Sequence, residues 1–218
     1  TLSRLFSTQL AGFGISLIGS LTISNISGLT SSQAVGLSAD QIKVLGTDRV
    51  AALSTNLVKE LSKAQLIALT TTQAAALNTT TVNALTATQL GYLENQDVAS
   101  LSSTVLNNLN TTQWAGISAA QLGALTTTQV SNLTSTTLGY LSGSKLASLG
   151  NAALGVLGTS TLAGLTTEQV ALWSVAQIQN LSTANLAALS TSVIRALNDK
   201  QVAGLTTTQV ASLNSTTF

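Results

Sequence analysis

Residues 125–133 read Leu125-Thr126-Thr127-Thr128-Gln129-Val130-Ser131-Asn132-Leu133, and this octad decides the fold, because it returns with small changes along the whole 218-residue chain. Leu205-Thr206-Thr207-Thr208-Gln209-Val210-Ala211-Ser212 repeats it almost letter for letter near the other end. Stepping by eight from Leu5 gives 27 positions, of which 24 are Leu and the rest Phe13, Ile117 and Trp173. A second column, stepping by eight from Leu2 to Phe218, is apolar at all 28 positions. No charge enters either column, so the two together define the buried face of a repeat with a period of eight.

Each octad also carries a helix-start signal. The residue after the column leucine is Ser, Thr or Asn at 21 of 27 positions, the residues whose side chains accept from the free amides of a first helical turn. Gln follows three places later at 13 of 27 positions, which makes a capping box, with the leucine before the cap and the apolar residue after the Gln as a hydrophobic staple. One uninterrupted helix is excluded, since eight residues turn through about 800° and the apolar stripe would drift about 80° per octad. In a β-solenoid, the alternative, the columns lie three and then five residues apart, odd spacings that send successive apolar side chains to opposite faces of a strand. On a helix, positions three apart are neighbours.

The reading is therefore an all-α repeat solenoid of very short helices, one per octad, with residues 1–218 forming a single array. Helices this short are marginal alone and must stack. The larger residues just before each leucine, such as Tyr92, Tyr140, Val156 and Leu172, fall in alternate octads. That alternation predicts a rung of two octads, 16 residues, with three octads as the alternative. Residues 1–21 depart from the pattern, with Phe6 and Gly14 at cap positions and Ile15 and Leu17 adding apolar surface, and are read as an irregular terminal cap or docking segment. The chain opens on Thr1 without a basic leader, which suggests a processed chain or an excerpt.

Composition narrows the chemistry. There is no His, Cys, Met or Pro, and charged residues make up 7%, far below the roughly 25% of ordinary domains. Without His or Cys, the usual zinc, haem, iron–sulfur and thiol ligands are missing, together with the commonest general base. A net charge of +1 offers no basic face for nucleic acid. The most apolar stretch, 13–21, is interrupted by Gly and Ser and is far shorter than a membrane span. Asp40, Lys43, Asp48, Arg49, Lys59, Glu60 and Lys63 hold seven of the fifteen charges with mixed signs and read as a solvated face. Glu94 and Asp97 can share one short helix, Glu94 at its cap, where a carboxylate suits the helix dipole. Trp114 and Trp173 fall in the apolar columns, where packing is their default role. Asn25, Asn78, Asn110, Asn132, Asn180 and Asn214 head Asn-x-Ser/Thr sequons, read as accidents of a Ser/Thr-rich chain. No catalytic, cofactor-binding or metal-ligating set emerges, so no enzyme and no cofactor are expected.

The octads Leu-Thr-Thr-Thr-Gln-Val-x-x-Leu resemble the repeat tracts of very large bacterial secreted and surface proteins of adhesin-like type. That resemblance implies an extracellular location at a bacterial cell surface and a stalk or fibre-forming segment; it carries over no functional residue. The expectation is a structural protein that polymerises with copies of itself head to tail, with lateral packing through small residues such as Ala51, Ala75, Gly91, Ala115, Gly123, Ala147 and Ala163. Open rung ends at Leu2, Leu5 and Phe13, and at Phe218, motivate it. The alternative is an adhesin-type binding module that presents Thr and Asn rows to a carbohydrate or to ice.

Overall fold

The computed structural model describes residues 2–213. These form a 3-10 turn at Leu2–Arg4 followed by 26 α-helices of four to six residues, one per octad, with no strand among the described residues. The β-solenoid alternative is thereby excluded. The caps act as the octad predicts. In the helix Thr71–Ala75, the Thr70 hydroxyl accepts from the Gln73 amide while the Gln73 Oε1 accepts the Thr70 N–H at 2.8 Å. The same reciprocal pair starts the helices at Ala39, Lys63, Thr127, Val175 and Thr207.

Every helix stops without a left-handed residue. Ala76 ends Thr71–Ala75 at φ −83° and ψ −10°, still right-handed, and the next cap lies in extended backbone. No described residue has a positive φ, so the corners need no glycine. An octad can therefore be copied many times without a special turn residue.

The chain divides into two compact units, Thr1–Ile117 and Ser118–Phe218. In both units helices pack on the third helix along. In the first unit Ser7–Ala11 lies on Ser31–Val35, Ile15–Ser20 on Ala39–Lys43 and Ile23–Ser27 on Thr47–Ala51. In the second, Gly143–Ala147 lies on Thr167–Val170 and Thr159–Leu162 on Thr183–Ala188, which in turn meets Thr207–Ser212. The repeat distance in space is 24 residues, so a rung has three octads and not the expected two. The clue that favoured two was the bulk of the residue before each leucine. Those side chains stand half in solvent, with Leu172 60% exposed, so their size is unconstrained by the core.

Both apolar columns turn inward and are buried nearly throughout, with Trp114 and Trp173 packed among the leucines. Small residues seven places into the octad face the next rung. A Cβ on Gly91 would stand 3.1 Å from the Gly116 carbonyl oxygen, one on Gly123 3.2 Å from that of Ser148, and one on Gly155 2.8 Å from that of Asn180. At Gly91 and Gly123, two of the small residues expected to permit lateral contact between copies, the missing Cβ lets adjacent rungs approach. In residues 1–21 the irregular octads still form helices, Ser7–Ala11 and Ile15–Ser20, but leave Phe6 75% exposed and Ile15 and Leu17 half exposed. The rung end expected at Phe218 and the sequon at Asn214 lie outside the described residues.

Candidate functional site

The chemistry of this protein is concentrated at its corners, where one helix ends and the next begins, and the side chain that organises them is the octad glutamine. Its Oε1 closes the capping box, as the sequence predicts. Its Nε2 does something the local sequence conceals: it donates to the backbone carbonyls of the corner one rung below. Gln41 Nε2 reaches the carbonyls of Leu10, Ala11 and Phe13 at 3.2, 3.2 and 2.7 Å. Gln73 reaches Ile42, Lys43 and Leu45 at 2.8, 3.3 and 2.6 Å. In the second unit Gln169 bonds Leu138 and Leu141, both at 2.8 Å, and Gln209 bonds Ile178 and Leu181, both at 2.9 Å. In these four the principal partners lie 31 and 28 residues back, across the end of one helix and the start of the next, and Gln177 uses the carbonyls 30 and 28 back, Ala147 and Leu149, both at 2.9 Å.

These glutamines are buried, and a buried primary amide is tolerated because both of its ends are engaged. The carbonyl 31 residues back already accepts from the amide three residues after it, as Leu45 N donates to Ile42 O at 3.1 Å, and Nε2 occupies its second lone pair. That explains why the column admits apolar residues. Leu57, Val105 and Val193 stand buried at glutamine positions, and the carbonyls of Ile26, Ala74 and Leu162 beneath them keep their own-chain donors. Asn185 does the glutamine's work with a shorter arm, donating to the carbonyls of Gly155 and Leu157 at 3.1 Å each.

Three charged side chains also stand in this column, Arg49 of the expected solvated face together with Asp97 and Lys145. Arg49 leaves the exposed cluster and donates its Nε to the Leu21 carbonyl, a substitute for the glutamine amide. Its neighbours Asp40, Lys43, Asp48, Lys59, Glu60 and Lys63 are exposed, as expected, and Lys63 holds its ammonium 5.4 Å over the Tyr92 ring. Asp97 is the second exception. It shares the helix Asn95–Val98 with Glu94 as cap, but the Glu94 side chain makes no cap bond and Asp97 is only 1% exposed. Burial pushes its carboxyl above the usual range, helped by the nearby Glu94 charge and opposed by the Glu94 N–H and the Thr71 hydroxyl. Its Oδ2 has no hydrogen-bond partner. Lys145 stands in the same column, with burial pushing its ammonium below the usual range.

Elsewhere the polar groups serve the helices. The Asn78 and Asn110 side chains accept from the amides of Thr81 and Gln113 as caps, and Asn180 donates to the Ala176 carbonyl at 2.8 Å, so these sequon residues have local structural partners. Among the described residues no group of three or more acidic residues, His or Cys is placed to hold a metal ion, and no helix is long and apolar enough to cross a membrane. On one face of the first unit, Ser54, Thr55, Asn78, Thr79, Thr80 and Thr81 line an open depression. It lies where Thr81 replaces the longer glutamine.

A family model for the ALTTAQ repeat matches residues 178–215. The same hexad, one letter changed, appears outside that stretch as Ala68-Leu69-Thr70-Thr71-Thr72-Gln73. No curated protein matches the chain. The chain is a repeat protein whose short helices build an all-α solenoid.

Proposed function

We propose that this chain is a structural protein, its octads supplying length to an extracellular fibre or surface stalk, and that it has no catalytic role. The observation that carries this reading is the glutamine bracket. The most versatile side chain of the repeat is buried in corner after corner and used to join one rung to the next, so the octad is a unit for adding length. Stability in such an array grows as a sum of rung and neighbour terms, with no central site for it to support. The family match supports a repeat-based role, and the resemblance to adhesin-like tracts of bacteria supports placement at a cell surface. In the fibre form of the proposal the exposed apolar groups Phe6, Ile15 and Leu17 form part of a head-to-tail contact between copies.

Negative-stain electron microscopy of the purified chain over a range of concentrations tests this. Filaments that vanish in the Leu17→Asp variant, which alters a half-exposed residue and should leave the helical spectrum unchanged, are the expected result. Filaments that persist in that variant would remove the contact, and unassembled particles at every concentration would remove the polymer. Labelling of intact producing cells with an antibody to the chain tests location, and signal only after lysis would overturn the surface assignment.

A second reading has one observation in its favour. The hydroxyl- and amide-lined depression at Ser54, Thr55 and Asn78–Thr81 is the kind of surface a carbohydrate engages, in an adhesin-type module. Binding to a glycan array that is lost in Thr80→Val would support it over the purely structural role.

A further inference from the structure

Asp97 occupies a place built for a donor. In the glutamine column the Nε2 group sits among carbonyls 31, 30 and 28 residues back; counted from Asp97, these are Leu66, Ile67 and Leu69. The helix Asn95–Val98 packs on Thr71–Ala75 as its counterparts do in other rungs, so the corner beneath Asp97 is of the same kind. An ionised carboxylate has only acceptors; the Glu94 N–H and the Thr71 hydroxyl serve it in part, but an oxygen left facing carbonyl oxygens in a buried corner is repelled by them. The Oδ2 that lacks a partner is the symptom. Asn185 shows that a side chain of this length reaches the two nearer carbonyls when it carries hydrogen. A protonated aspartic acid is the isostere of that asparagine.

We propose that Asp97 is a proton-binding site: it stands as the neutral carboxylic acid, its Oδ2–H donating to the corner carbonyls below, and loss of that proton unlocks the junction between Asn95–Val98 and Thr71–Ala75. Desolvation acts in the same direction, favouring the uncharged form. No countercharge stands nearby to reverse it. Residues 64–91 and 98–139 contain no titratable side chain, the ammonium of Lys63 lies over the Tyr92 ring, and the Glu94 charge adds repulsion. The sign follows from linkage. Where the folded carboxyl titrates above the unfolded one, the stabilisation is complete below the unfolded value, about pH 3.9 for Asp, and is lost as pH rises to the folded value. The junction is therefore an acid-favoured latch, tight at low pH and loosened in alkali.

Thermal melts of the full chain and of Asp97→Asn from pH 4 to pH 9, paired with the carboxyl carbon resonance of Asp97, test this. The wild-type melting temperature should fall relative to the variant as pH rises, the variant being the more stable above the titration. Amide exchange should quicken first around residues 66–71 and 93–98. Equal pH slopes for the two chains, or an Asp97 carboxyl resonance that titrates in the ordinary carboxylate range, would overturn the proposal. A calcium-dependent rise in the wild-type melting temperature at pH 8, absent from Asp97→Asn, would also overturn it, because the corner would then hold a metal cation instead of a proton.

Discussion

Gln73 and Asp97 stand one rung apart in the same unit and in the same column of the octad, 2% and 1% exposed. Burial does not distinguish them; donors do. The glutamine brings an acceptor for its own cap and a donor for the corner below, and both are used. The aspartate brings two acceptors to a place that needs one of each, and the surplus oxygen is left over. Leu57 and Val105 add the third case, in which the side chain offers neither and the Ile26 and Ala74 carbonyls, 31 residues back, keep the donors from their own chain. What the corner rejects is an unmatched acceptor, whereas a missing donor is tolerated.

The largest effect should come from copying the aspartate's problem into a glutamine corner. Gln73→Glu keeps the shape and replaces the donor with a carboxylate facing the carbonyls of Ile42, Lys43 and Leu45. Leaving a buried charge without a partner costs about 3–5 kcal/mol. Urea titration should show that loss at pH 8 and its recovery on acidification, since the variant's carboxyl, titrating above its unfolded value, is neutral there. A pH-independent loss would mean that shape and not charge decides the corner.

Next in size is a test of how closely rungs must approach. A Cβ on Gly116 would stand 2.1 Å from the Ala87 carbonyl oxygen, whereas one on Gly139 meets nothing within 4 Å. Gly116→Ala should cost about 1–3 kcal/mol by forcing the helix Thr111–Gly116 off Ala87–Leu90. Gly139→Ala, in open space near a helix end, should be neutral or stabilising by up to about 1 kcal/mol. Removing the glutamine's bonds without adding charge comes third. Gln73→Leu makes the corner resemble that of Leu57, and the loss should be about 1 kcal/mol, because the Ile42 carbonyl retains its bond from Leu45 N. A loss as large as that of Gln73→Glu would contradict the distinction between missing donor and unmatched acceptor.

The sequence discloses the helices well and their stacking poorly, and the glutamine shows why. A cap and its N3 partner are three residues apart, so Thr70 and Gln73 announce a helix start to anyone reading along the chain. The carbonyls that receive Nε2 lie 28 to 31 residues away and are backbone, with no identity to read. The rung size is hidden for a related reason. It depends on the angle accumulated over three corners, and the one side-chain pattern offered as a guide belongs to half-exposed residues that feel little of the core. One signal was available: a capping box uses a single end of a glutamine amide, so a buried N3 glutamine implies a second acceptor somewhere in the fold. For Asp97 the corresponding signal is a carboxylate in a column otherwise held mainly by amides and apolar residues, a signal masked by Glu94 at the cap beside it, which accounts for an acidic helix start on its own.

The smallest effect isolates the local half of the bracket. Gly150 caps the helix Asn151–Gly155 with φ −62° and ψ 151°, an extended conformation open to any residue, and it supplies no side-chain bond. An added Cβ there would meet nothing within 4 Å. The residue three places on is Ala153, so no glutamine returns to the cap and none reaches the rung below. Gly150→Ser supplies the hydroxyl alone, and the gain over glycine at a cap is a few tenths of a kcal/mol, with a comparable further gain of about 0.5 kcal/mol from the less flexible unfolded chain. Adding Ala153→Gln on that background tests the bracket itself. If the glutamine works between rungs as well as at the cap, the double variant should exceed the single one by about 1 kcal/mol in thermal or urea unfolding. A double variant no more stable than Gly150→Ser would confine the glutamine to its capping role.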